Sequence, residues 1–346
     1  MKPASETIPK FIISLERDKE RNAYLQKDVY PKLTNYFKCK AFDGENDNIN
    51  QVLLENNIYL ADTFYEKCNT GQLGCFLSHF QLWKHIVEKN IDLAIVLEDD
   101  VKIYKNFNKI IDIIFANLPV KFDFLHLFTH PDKQKIEYLE AADGEIIPAE
   151  DNFGTVAYIV SLRGAKKLIK LTSMLKIQAP VDRQINFYIE HNFLKAYMVK
   201  KPFLLTQGEI MPNRSVYNDG FKSNIWYTRK LNETNLVDPQ FIKHAGFSDE
   251  DITNLEQQIA KQKMPEKNIE NNVENEVTPP AENAEQKSIS ENVDEPESPK
   301  EDMIITKTPE PEQIDEKLNE EIVEDEEDKI VSSIICKLNE SMEKVL

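Results

Sequence analysis

Glycine is scarce, nine in 346 residues, and none stands in a Gly-x-Gly-x-x-Gly or Gly-x-x-x-x-Gly-Lys turn. That excludes the common backbone cradles for dinucleotide and nucleoside triphosphate phosphates. Cysteine is scarcer still. Cys39, Cys68, Cys75 and Cys336 form no Cys-x-x-Cys pair and no metal-ligand spacing, a usage that suits a reducing compartment. No apolar run approaches the length of a membrane span. The run near the N-terminus, Phe11–Leu15, is too short for a secretory leader. The expected location is cytoplasmic, with a peripheral place at the inner face of a membrane left open; the sequon Asn232-Glu233-Thr234 then carries no meaning. No basic stripe marks the first 247 residues, so a nucleic-acid partner is not expected.

Aromatic residues stop at Phe247, and charge divides the chain at nearly the same place. Residues 265–346 hold 25 acids against 8 lysines, whereas the preceding 264 hold 35 acids against 34 bases. The net charge of −18 therefore belongs almost wholly to the tail. The expected organisation is a near-neutral globular domain over 1–247 and a possible terminal helix over 248–264. A disordered acidic linker is expected over 265–311, then a possible amphipathic acidic helix over 312–346. Ile314, Leu318 and Ile322, then Ile330, Ile334 and Leu338, recur at helical spacing there. A helical partner or self-association fits that last segment better than an anionic membrane, which attracts basic segments.

The domain is organised around Leu93-Ala94-Ile95-Val96-Leu97-Glu98-Asp99-Asp100-Val101. Five apolar residues without a polar break read as a strand buried on both faces. Three carboxylates at its end repel one another, and a hard divalent cation such as Mg²⁺ or Mn²⁺ would relieve that repulsion. Ligands of open α/β sheets bind beyond the carboxyl ends of strands, where these acids fall. A solvated acidic turn after a core strand reads equally well from the residues alone.

Around this stretch strand and helix alternate. Lys10–Leu15 reads as a strand, followed by a polar helix that opens at Arg17 and runs toward Pro31. A strand-to-helix turn of this kind can face a nucleotide phosphate, which makes Ser14, Arg17 and Arg21 candidates; a solvated helix start is the plainer reading. Phe37–Phe42 is a second strand, ended by Asp43-Gly44. Gly71–Asn90 is a helix whose apolar face runs through Leu73, Phe76, Leu77, Phe80, Trp83 and Val87. Ser78 and His79 sit in its first half, where ordinary core or boundary roles would also account for them. Phe107–Leu118 is a helix, Phe122–Phe128 a strand, and Lys133–Ala149 a loop or ribbon over the site. Phe153–Ser161 is a strand and Leu162–Leu175 a helix, with Gly154 and Gly164 as turn or close-packing positions. Ala179-Pro180-Val181-Asp182 leads into a helix over Gln184–Phe193, with Asp182 well suited to be its N-cap. Lys195–Leu205 is a last strand, with Pro202 at an edge or its end. The alternation predicts an α/β fold with a mostly parallel sheet flanked by helices.

Several of these stretches together resemble the glycosyltransferase family 25 proteins, which include bacterial lipooligosaccharide galactosyltransferases and, more distantly, collagen galactosyltransferases. They are Phe11–Arg17 through Arg21; Gly74-Cys75-Phe76-Leu77-Ser78-His79 with Trp83; Leu97–Val101; and Gly154-Thr155 through Tyr158 with Ser161, Gly164 and Ala165. Pro180-Val181-Asp182 and Pro202–Gln207 match more loosely. All lie in the family's order and cover residues 10 to about 230; the acidic tail has no counterpart. The resemblance implies a GT-A-like, Rossmann-like fold and an inverting, Mn²⁺-dependent (or Mg²⁺-dependent) transfer from a UDP-sugar. The sugar would be a hexose, galactose first, and the acceptor a lipooligosaccharide, lipopolysaccharide or other glycan. It makes Asp100 the metal ligand, with Glu98 a ligand or a contact to ribose or metal-bound water. It sets Ser14, Arg17, Arg21, Ser78, His79, Glu98 and Asp99 near the donor nucleotide, and makes Asp182 the general base, with Glu209 as fallback. Three other readings stay open: a glucose or N-acetylhexosamine donor, a metal-dependent phosphohydrolase using the same acids, and a non-catalytic protein working through its tail.

Overall fold

The computed structural model describes residues 4–119, 121–129, 143–201, 203–206, 221, 223, 225 and 227–243. Glu209, the segments 248–264, 265–311 and 312–346, and residues 133–142 of the expected ribbon lie outside the described residues. The strands are β1 Lys10–Ser14, β2 Tyr36–Lys40, β3 Leu60–Ala61, β4 Leu93–Glu98, β5 Val101–Ile103, β6 Phe124–His126, β7 Ile146–Pro148, β8 Ala157–Ser161, β9 Ala196–Val199, β10 Leu204–Thr206 and β11 Ile242–Lys243. The α-helices are α1 Ala4–Thr7, α2 Lys19–Tyr24, α3 Ile49–Glu55, α4 Asp62–Lys67, α5 Thr70–Glu88, α6 Phe107–Asn117, α7 Leu162–Leu175 and α8 Val181–Glu190.

A 7-stranded sheet runs in the order β2-β1-β4-β8-β6-β9-β7. β2, β1 and β4 are parallel neighbours, and so are β6 and β9. β8 runs against both β4 and β6, and β7 runs against β9. Five of the seven strands therefore share one direction, the mostly parallel α/β arrangement that the alternation predicts. Successive side chains feed two cores. Phe11, Ile13, Ala94, Val96, Phe124, Tyr158 and Val160 pack beneath α5, α7 and α8. Ile12, Ile95, Leu97, Leu125 and Ile159 pack on the other face against α6 and the turns that succeed α2. A strand covered on both faces needs no polar alternation, which is why Leu93–Leu97 is uninterrupted. Each such side chain fully buried contributes about 1.5–3 kcal/mol.

Three expectations are corrected at their boundaries. The first helix keeps α geometry only to Tyr24, then continues as a π turn, Leu25–Val29, and a 3₁₀ turn, Tyr30–Lys32, holding Pro31. Lys195–Leu205 is not one strand: β9 stays in the large sheet, whereas β10 leaves it and pairs antiparallel with β5. Ile146–Pro148 forms the outer edge of the sheet beside β9 rather than a cover on the site. The pairing of β5 with β10 also sets the course of the chain beyond β4. The backbone abandons the large sheet at Glu98, and Asp99-Asp100 becomes the turn between two sheets.

The long helix α5 starts from a capping box, with Asn69 accepting from Gln72 N and the Gln72 side chain returning to Asn69 N. Its first turn lies against the turn after β2. A Cβ on Gly74 would stand 2.7 Å from Gly44 N, and one on Gly44 1.9 Å from Thr70 O, so only glycines allow this approach. Among the described residues no helix is long and apolar enough to cross a membrane.

Candidate active site

β1 and β4 are parallel neighbours with Ile13 opposite Glu98, so their carboxyl ends coincide. β1 passes into α2, whose N-cap Asp18 accepts from Arg21 N. That cap swings Arg21 over the end of β4. The guanidinium reaches Asp99 Oδ1 at 2.5 Å, Asp100 Oδ2 at 3.3 Å and Asp18 Oδ2 at 3.5 Å, all with little exposure. Burial works against the Arg21 charge, but Asp100 and Asp99 outweigh it and hold the guanidinium more basic than usual. The repulsion expected from the sequence is thus partly met by an arginine 78 residues away. It is not fully met. Burial pushes the Asp100 carboxyl up to about 7, Glu98 and Asp99 add to this, and Arg21 offsets part of it. Asp99 moves up for the same first reason, burial.

Glu98 is held by a different set. His79 Nε2 lies 3.1 Å from its Oε1, and the Thr155 hydroxyl donates to that same oxygen at 2.6 Å. Burial opposes ionisation of Glu98, yet these two partners keep its carboxyl below the ordinary value. Behind His79, its Nδ1 lies 2.9 Å from the Tyr158 hydroxyl, which accepts from Trp83 Nε1 at 3.0 Å. Burial holds the Tyr158 phenol far above its ordinary pKa, so it keeps its proton.

These groups surround a cavity of about 100 Å³ lined in part by Arg17, Arg21, Asp43, Glu98, Asp99 and Asp100. Arg17 is half exposed, and its Nε lies 2.5 Å from Asp43 Oδ2. His79, Ser78 and Cys75 also line the cavity. The Ser78 hydroxyl is committed to the backbone, donating to Gly74 O at 2.7 Å and accepting from Phe42 N at 2.8 Å. It fastens the β2 turn to α5 beneath the cavity. Ser14 does not line the cavity; its hydroxyl faces Asn22 Oδ1 at 3.2 Å.

Asp182 is not the N-cap of α8. Pro180 holds that position, and Asp182 lies in the first turn. Its carboxylate instead accepts Gly154 N at 3.0 Å and Arg183 N at 2.9 Å. Gly154 has φ +84°, a conformation that glycine adopts without cost, and it aims its N–H at Asp182. The next residue, Thr155, holds Glu98. Two consecutive residues thus tie Asp182 to Glu98, although Asp182 itself does not line the cavity.

Two donor sets could take a cation. Asp100 Oδ1 is buried without a hydrogen-bond partner, and Glu98 Oε2 carries no hydrogen bond among the described residues. Free carboxylate oxygens at one cavity suit a hard ion. Folding also gathers Cys75, His79 and Glu98, with donor atoms within 4.8 Å of one another, which cysteine spacing does not reveal. Both nitrogens of His79 are already engaged, by Tyr158 and Glu98, so His79 has no ring nitrogen left to offer a cation in this arrangement.

Asp43, Thr155 and Tyr158 join the site without having been singled out by the sequence. Asp43 carried a signal, since it succeeds a strand end as the three acids do. Thr155 and Tyr158 stand inside a stretch that resembles the family, but nothing in their spacing points at Glu98.

Residues 7–185 match the family model described as glycosyltransferase family 25 (LPS biosynthesis protein). Procollagen galactosyltransferase 2 of Homo sapiens is 25% identical over 254 residues, covering 64% of this chain and 40% of that protein. Procollagen galactosyltransferase 1-A of Xenopus laevis is 29% identical over 181 residues, 50% of this chain and 29% of that protein. A Rattus norvegicus relative, 27% identical over 180 residues, 50% of this chain and 31% of its own, bears the name probable inactive glycosyltransferase 25 family member 3. The chain thus spans well under half the length of these relatives.

Proposed function

Because the chain belongs to glycosyltransferase family 25, we propose that it transfers a hexose, galactose first, from a UDP-sugar to a glycan acceptor such as a lipooligosaccharide, with inversion and with a divalent cation, on a GT-A-like fold. The observation that carries this reading is the pair of free carboxylate oxygens, Asp100 Oδ1 and Glu98 Oε2, at a cavity shared with Arg17 and Arg21. Asp100 and Glu98 would hold Mn²⁺ or Mg²⁺, which when bound neutralises the departing diphosphate.

The chain's own residues supply the rest. Arg17 and Arg21 both line the cavity, and Arg17, half exposed, is the cation of the two that an anionic diphosphate would reach. Arg21 also keeps Asp99 and Asp100 together against their mutual repulsion. The acceptor hydroxyl oxygen forms its bond to the anomeric carbon on the face opposite the leaving diphosphate. Its proton passes to a base in the same step. Asp182 is that base on this reading, supported by its link through Gly154 and Thr155 to Glu98.

The test is release of UDP from a panel of UDP-sugars with Mn²⁺, with and without glycan acceptors. Acceptor-dependent release from UDP-galactose is expected. Release that acceptors do not change would make the protein a phosphohydrolase. Acceptor-dependent release from UDP-glucose or a UDP-N-acetylhexosamine instead would keep the enzyme class and change the sugar.

A further inference from the structure

The hydrogen bonds buried behind Glu98 all run in one direction. Tyr158 is fully buried in β8, its ring stacked on Phe124 at 4.5 Å between centroids. An indole N–H only donates. The Tyr158 oxygen therefore accepts from Trp83 Nε1, and its own proton needs an acceptor. Among the described residues the acceptor within reach is His79 Nδ1, at 2.9 Å. The imidazole then carries its proton on Nε2, which faces Glu98 Oε1 at 3.1 Å. Thr155 donates to that same Oε1, so both donors fall on one oxygen and Oε2 is left with none among the described residues. Glu98 keeps 20% of its side chain exposed, and it lines the cavity.

We infer that Tyr158 is a positioning residue for Glu98. Oriented by Trp83, its hydroxyl fixes His79 as the Nε2–H tautomer, and His79 with Thr155 pins Oε1 so that Oε2 is the oxygen presented to the cavity. Without these bonds the carboxylate is free to rotate and offer either oxygen. The inference rests on the proposed function only in taking Glu98 to serve the donor site; the tautomer itself does not depend on that reading.

The test is ¹⁵N NMR of the full chain labelled at its 6 histidines, with the His79 signals assigned by their loss in His79→Gln. The expected wild-type ring has Nε2 protonated and Nδ1 bare. Tyr158→Phe keeps the aromatic stack and removes the donor to Nδ1, and its His79 signals should move toward tautomeric exchange. A wild-type ring protonated on Nδ1, or a Tyr158→Phe ring identical to wild type, overturns the inference. If Tyr158→Phe does not fold, the wild-type tautomer still decides. In the transfer assay Tyr158→Phe should lose about 10–100-fold, the usual effect of removing a partner behind a metal ligand. The same substitution should add nothing in a His79→Gln background, because an amide has no second nitrogen to which its proton can shift. Equal losses in both backgrounds overturn the positioning role. A wild-type protein with no transferase activity would overturn the proposed function and leave the tautomer result standing.

Discussion

Two buried carboxylate clusters lie at opposite ends of the same sheet, and among the described residues their ratio of acids to cations differs. Asp123, just before β6, is fully buried and faces two cations from α7. Lys167 Nζ lies 3.1 Å from one of its oxygens and Arg163 Nε 2.8 Å from the other. The Lys195 backbone N–H adds a third contact at 2.8 Å. At the end of β4 the ratio is reversed. Arg21 faces Asp18, Asp99 and Asp100 together, with Glu98 adjacent. The Asp123 cluster closes on itself and ties α7 to β6. Among the described residues the Arg21 cluster sets one cation against several acids and leaves Asp100 Oδ1 with no hydrogen-bond partner. The first cluster ties elements of the fold together; the second, on the proposed function, receives a positive group from outside.

The largest expected effect separates the two clusters outright. Asp100→Ala should cut transfer by about 10³-fold or more, some 4 kcal/mol of barrier. Its unfolding midpoint should hold or rise, since one of several repelling charges is gone. Activity should likewise vanish in EDTA. Full activity in either case would show that the acids are not a metal site. Asp123→Asn should do the opposite, removing the buried charge that Lys167 and Arg163 share, at a cost of about 3–5 kcal/mol of stability. A stable Asp123→Asn protein in denaturant titration would break the contrast.

Asp182 comes next, because its contacts are Gly154 N and Arg183 N rather than those of a cap. Asp182→Asn keeps an oxygen for Gly154 but cannot take a proton. Turnover should fall about 10²–10⁴-fold with thermal stability nearly unchanged. Asp182→Ala should lose turnover and, in addition, the Gly154 anchor. Wild-type single-turnover rates in a stable Asn variant would end the base assignment and turn attention to Glu209.

His126 offers a buried titratable group with no charge partner among the described residues. Its Nε2 is unpartnered, and burial alone pushes the imidazole down from 6.5 to about 4. The folded pKa lies below the unfolded one. Above pH 6.5 neither state is protonated and nothing is lost. As pH falls from there toward 4 the unfolded chain takes up a proton that the folded one refuses, and stability drops. At about pH 5 the loss should be about 2 kcal/mol. Urea unfolding of wild type and His126→Gln at about pH 7.5 and pH 5 tests this. The substitution should cost less at the lower pH by that amount, and a pH-independent difference would refute it.

The smallest effect concerns the acids of the C-terminal segment. Residues 265–346 carry 25 of them and contain none of the matched stretches. Deleting them should change kcat on a soluble acceptor by less than about tenfold, or 1.4 kcal/mol. A larger loss would mean that negative charge outside the cavity also serves catalysis.

The sequence by itself determined the main elements and the cluster of acids at the end of β4. An uninterrupted apolar run, a three- and four-residue apolar repeat and a cluster of three acids are local patterns, and local patterns survive folding unchanged. Leu93–Glu98, Thr70–Glu88 and Leu162–Leu175 are found close to where those patterns put them. What only the tertiary structure decided depends on direction and on distance along the chain. A strand buried on both faces reads the same whichever way it runs, so nothing in Ala157–Ser161 announces that β8 opposes its neighbours. Lys195–Leu205 reads as one strand until β5 offers β10 a second partner. Asp182 reads as a cap until Gly154 approaches it from 28 residues away. Arg21 finds its acids at a separation of 78 and 79 residues, and Tyr158 finds His79 at 79. Such pairs are set by which helix packs across which strand end. Packing is a property of the whole core, and no window of neighbouring residues contains it.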